Sequence, residues 1–95
     1  MVIPNTVSIL GITYEVMTEE MEPGDDGYVS PGKQRIALSS ALTDEKRDQV
    51  FLHELVHAIL DQLSSSDLYE DECLVQGLAV GLHVALRDCK QGIAV

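Results

Sequence analysis

The sequence is poor in several things. It has no tryptophan and a single phenylalanine. Lys and Arg total 6 against 16 Asp and Glu, a formal charge of −10. So few basic residues cannot neutralise a run of phosphates, which argues against a nucleic-acid partner and against an anionic membrane surface. No apolar run reaches the roughly 18 residues of a membrane span. The start, MVIPNTVSIL, has no basic segment and carries Pro4 and Asn5 early, unlike a secretory signal. The two cysteines, Cys73 and Cys89, would stand about 24 Å apart on one helix, beyond disulfide reach. Free thiols without an export signal lead us to expect a cytoplasmic protein, of bacterium or phage-infected host.

Against these absences, 45% of the residues are hydrophobic, so the acidity does not reflect a disordered composition. A length of 95 residues fits a single domain over 1–95, with a thin core that a bound metal would reinforce. The two halves differ. Residues 1–42 hold all the prolines and four of the seven glycines, between β-branched runs. Val7–Leu10 and Ile12–Val16 read as one or two strands, interrupted or bulged at Gly11. Met21–Gly27 reads as a loop, and Gly27–Ser30 with Gln34–Leu38 as a hairpin turning at Pro31–Lys33.

From Thr43 the period becomes helical. Thr43 is a good N-cap, and Asp44 and Glu45 place negative charge on the first turn. Asp44 to about Leu63 is apolar nearly all round after two turns, as expected of a buried helix. Ser64–Ser66 ends it. A second helix, capped at Ser66 or Asp67, runs to about Asp88 with a core stripe of Val75, Leu78, Ala79, Leu82 and Leu86. The expected fold class is α+β: a small three-stranded sheet, antiparallel or mixed, followed by an antiparallel two-helix hairpin.

Polar residues interrupt the first helix at one place: His53-Glu54-Leu55-Val56-His57. Residues four apart share a helix face, so both imidazoles can reach one metal ion and Glu54 can reach water bound to it. Imidazole nitrogens suit zinc. Leaving three such groups unpaired in the most apolar stretch would cost several kcal/mol. A catalytic zinc needs a third protein ligand. Leu60 and Leu63 stand where the longer HExxHxxGxxH pattern would place its glycine and histidine, so the ligand must come from the second helix. In an antiparallel hairpin, facing residues are mirrored about the turn, which sets His57 opposite Glu72 and His53 opposite Gln76. Glu72 shares a face with the core stripe, whereas Glu70 lies about 200° behind it and Asp71 is intermediate. Gln76 would accept a hydrogen bond from the nitrogen of His53 that does not face the metal.

His-Glu-Leu-Val-His-Ala-Ile-Leu-Asp resembles the zinc helix of thermolysin-like gluzincin metallopeptidases, including an acid at Asp61. A small sheet, an HExxH helix and a glutamate-bearing helix are similar in layout to ImmA/IrrE-type peptidases, and closest to very short metallopeptidase-like proteins of bacteriophages. The resemblance covers nearly the whole chain. It implies one Zn2+ held by His53, His57 and Glu72, with Glu54 as general base. Gluzincins usually carry an aspartate four residues after the ligand glutamate; here that residue is Gln76. Larger members add domains for substrate pockets or DNA binding, for which 95 residues leave no room.

The expected activity is hydrolysis of peptide bonds in a peptide or protein substrate, with a regulatory protein such as a repressor as one candidate. Zinc-bound water would attack the carbonyl while Glu54 takes the proton. Tyr28, Tyr69 and His83 are candidates for a second oxyanion donor, with Tyr28 the one assigned a catalytic role. His83 lies about 16 Å along the helix from Glu72, too far for the same metal. The strand Gln34–Leu38 is a candidate edge on which an extended substrate aligns. The alternative is a zinc-stabilised module that binds a partner without cleaving it, and an acidic mimic of nucleic acid ranks below both.

Overall fold

The computed structural model describes residues 1–63 and 70–88. At Gly11 the chain turns back on itself. β1 (Thr6–Ile9) and β2 (Ile12–Glu19) pair antiparallel with Ile9 opposite Ile12. Between them Leu10 and Gly11 have φ values of 49° and 87°, the all-positive pattern of a type I′ hairpin turn. The interruption expected at Gly11 is thus a hairpin, and the sheet has four strands, not three. Leucine is a poor resident of the left-handed region, which is why Leu10 does not signal a turn in the sequence.

β3 (Gly27–Ser30) and β4 (Arg35–Ser39) form the expected hairpin across a 3₁₀ turn at Pro31–Lys33. β4 also pairs with β2, in parallel, with Val16 opposite Ile36 and Thr18 opposite Leu38. The strand order is β1-β2-β4-β3, a mixed sheet. This overturns the expectation of a free edge at Gln34–Leu38. Both sides of β4 are already hydrogen-bonded, and the edge beside it is β3. Burial of Ile36, Ala37, Leu38 and Ser39 in succession, on both faces, is the mark of an interior strand.

α1 (Asp44–Gln62) starts where the sequence places it: Thr43 Oγ1 accepts a hydrogen bond from the Lys46 amide at 3.4 Å. Val50, Phe51, Leu52, Val56, Ala58 and Leu60 are buried along it. β1, β3, β4 and the second helix all pack against α1. Gly27 fixes how closely β3 approaches. A Cβ there would lie 2.8 Å from the Ala37 carbonyl oxygen and 2.9 Å from Val50 Cγ1.

α2 (Glu72–Asp88) is capped by Asp71, whose Oδ1 accepts from the Leu74 amide at 3.0 Å. The caps expected at Ser66 and Asp67 lie outside the described residues, as do Tyr69 and Cys89. The core stripe is narrower than expected. Val75, Ala79 and His83 are buried, but Leu78, Val80, Leu82 and Val84 remain 38–45% exposed. Leu78 and Leu82, expected in the core, are therefore exposed. Gly77 and Gly81 lie in mid-helix, where a Cβ would meet nothing within 4 Å, and each costs α2 about 1 kcal/mol relative to alanine. Cys73, on the first turn, is exposed and free. No described helix is long and apolar enough to cross a membrane.

Candidate metal centre

Spacing along α1 and the antiparallel crossing of α2 bring His53, His57 and Glu72 together. One possible ligand atom from each lies within 4.8 Å of the other two. Glu72 Oε2 is 3.1 Å from His53 Nε2, and Oε1 is 3.0 Å from His57 Nε2. The two imidazoles stand edge to face, with centroids 4.9 Å apart and planes at 63°. The mirror relation also holds one turn away, where His53 Nδ1 is 2.6 Å from Gln76 Oε1. Gln76 thus offers His53 a carbonyl oxygen as acceptor.

This donor set fits zinc. With Nδ1–H donating to Gln76, a neutral His53 presents its Nε2 lone pair to the cluster. Two imidazole nitrogens and one carboxylate are the three-ligand complement of a catalytic zinc site, which keeps a fourth position open. Among the described residues no fourth histidine, cysteine or acid joins the three. His57 is buried and His53 half-buried, while Glu72 is open to solvent.

Glu54 borders the same cleft and is buried. Burial pushes its carboxyl above the usual range; the neighbouring His57 and His53 pull it down, and Glu72 adds to the rise. A carboxyl so placed holds a proton more readily than a surface glutamate, as proton transfer near neutral pH requires. The cleft, of about 380 Å³, runs from this cluster to a wall that no sequence pattern announces: Gly24, Asp25, Asp26, Lys46 and Gln49. Asp-Asp-Gly reads locally as a turn, and only the approach of that loop to α1, with Asp26 3.9 Å from Lys46 Nζ, makes it a wall. A second opening runs along β3, bordered by Gly27, Tyr28, Val29, Glu54, His57, Glu70 and Glu72.

Of the remaining candidates, Tyr28 borders the second opening together with Glu54, His57 and Glu72, whereas His83 lines a separate cavity. Tyr28 lies on β3 at the margin of this second opening, but its phenol is engaged by Glu19, which raises its pKa, and by Arg35. Both of those partners lie outside the group of His53, His57 and Glu72. His83 is buried farther along α2, beside Glu45, Asp48 and Arg87. Asp61 is exposed. No family model, curated protein or solved structure matches the chain. What the site can do therefore follows from its geometry.

Proposed function

We propose that the protein is a minimal zinc-dependent peptidase. The observation that carries this reading is the convergence of His53, His57 and Glu72 beside a buried glutamate, Glu54. His53, His57 and Glu72 would hold a zinc ion, which would supply a Lewis acid for the peptide carbonyl and lower the pKa of bound water to about 7. Glu54 takes the proton of the attacking water and delivers it to the leaving amine. Gln76 holds the His53 ring through Nδ1, so that Nε2 stays directed at the metal. β3, an edge strand along the second opening beside Glu54 and His57, gives an extended peptide a row of backbone groups to pair with. The substrate is a peptide or unfolded protein segment, and the acidic cleft margin favours basic residues in it.

The alternative, a zinc-stabilised interaction module, keeps the metal but needs no base. Its difficulty is Glu54. A buried carboxylate beside the ligands is unfavourable for stability and useful only for proton transfer. A peptide-library digestion comparing the zinc-loaded protein with its Glu54→Gln variant tests the proposal. Cleavage that depends on Glu54, at equal zinc content, is the expected result. Equal products from both, or none from either, turns the reading to the interaction module.

A further inference from the structure

His83 is the histidine that the metal cluster does not use. On α2 it stands about 16 Å along the axis from Glu72, and only 6% of it is exposed. Among the described residues its imidazole has no hydrogen-bond or ionic partner. A buried polar group left unpaired destabilises a fold, and leucine would occupy the position without that penalty. The ring borders a cavity of about 630 Å³ between the first turns of α1 and the last turns of α2. Met1, Glu45, Asp48, Leu86 and Arg87 form the rest of its wall. Volume and lining are those of a small-molecule site. The charges on the wall are already matched. The ammonium of Met1 is 3.2 Å from Asp48, and Arg87 Nη1 is 3.9 Å from Glu45. The polar group that awaits a partner is the imidazole.

We propose that this cavity binds a small neutral phenol, with its hydroxyl on His83. Three features of the wall select that chemistry. A neutral imidazole carries one acceptor nitrogen, and a phenol is a stronger hydroxyl donor than an aliphatic alcohol. An ionic ligand is disfavoured, because it would lose its water without gaining a counter-charge or would displace one of the two ion pairs. An aromatic body is favoured over an aliphatic one by the remaining lining. The Met1 thioether, the Arg87 guanidinium and Leu86 each pack well against a ring face. Among the described residues the chain places no phenyl ring of its own on this wall. The cavity shares no lining residue with the cleft of the metal cluster, so binding here does not depend on the proposed zinc chemistry.

Titration of the isotope-labelled full chain with p-cresol in chelator, followed by amide correlation spectra, reads this directly. The expected result is saturable shifts at His83, Leu86 and Arg87 with a dissociation constant at or below about 1 mM, while the amides of His57 and Glu72 stay in place. Toluene, which lacks the hydroxyl, and benzoate, which carries a charge, should each bind roughly tenfold or more weakly. His83→Leu should weaken p-cresol roughly tenfold, leave toluene bound at least as tightly, and keep or raise the melting temperature. That last readout separates a binding role from a structural one. No saturable shift up to about 20 mM p-cresol overturns the proposal, as a cavity holding only ordered water would give. So do equal affinities for p-cresol and toluene, an unchanged p-cresol affinity in His83→Leu, or a variant that melts well below wild type.

Discussion

α1 packs against β1, β3, β4 and α2, whereas among the described residues α2 makes its main contacts with α1. Both helices carry a large share of apolar residues. In α1 these are mostly buried, and three of its polar residues, His53, Glu54 and His57, border the cleft beside α2. In α2 the contact side holds Glu72, Val75, Gln76, Ala79 and His83, and the outer side is almost purely aliphatic and exposed. The lesson is that burial of a helix is decided by its position in the stack, and its hydrophobicity states only what it needs. Where need and position agree, the polar residues stand out as a site. Where they disagree, apolar side chains are left exposed among the described residues.

Substitutions at equivalent depth break the comparison most strongly. Phe51→Ala in α1 should cost about 3–5 kcal/mol in urea denaturation, while Leu82→Ala on the outer face of α2 should cost under about 1 kcal/mol. Equal losses would mean that the outer face of α2 is covered. Gly27→Ala acts on the other side of α1. The new methyl meets the Ala37 carbonyl oxygen and Val50, so a destabilisation of about 1–3 kcal/mol is expected, with β3 displaced from the cleft. Gln76→Ala tests the inner face of α2, where zinc affinity should fall roughly 10- to 100-fold by competition titration with little change in fold.

The smallest expected effect concerns Glu54. Its carboxyl is raised by burial, so folding disfavours the ionised form. The penalty is absent below the unfolded pKa, near 4.5, and complete above the folded one. Glu54→Gln should therefore leave metal-free stability unchanged near pH 4 and increase it as the pH rises to 7. A variant that loses stability at neutral pH would show that the carboxylate is held by bonds that favour its charge.

The metal cluster is legible in the sequence because it depends on two local rules. Spacing of four along α1 aligns His53 with His57, and reflection about an antiparallel turn then selects Glu72 and Gln76 without knowledge of the sheet. The start of α1 at Thr43 is equally local. What the sequence hides depends on distant partners. β4 is interior because β2 reaches it in parallel from across the β3 crossover, a pairing that no local pattern announces. Leu78 and Leu82 read as core from periodicity, yet the described residues supply no layer beyond α2 to bury them. The turn at Leu10–Gly11 is obscured by a leucine in a conformation it rarely adopts.

Everything proposed for the cleft depends on His53, His57 and Glu72 forming one zinc site. Zinc titration of the chelator-stripped protein, read by metal analysis and by competition with a chromophoric chelator, tests this on wild type, Glu72→Ala and Glu70→Ala. About one zinc per chain is expected for wild type and for Glu70→Ala, with that binding lost in Glu72→Ala. A wild-type protein that folds fully and takes up no zinc, or a Glu72→Ala variant that binds it unchanged, would contradict the assignment.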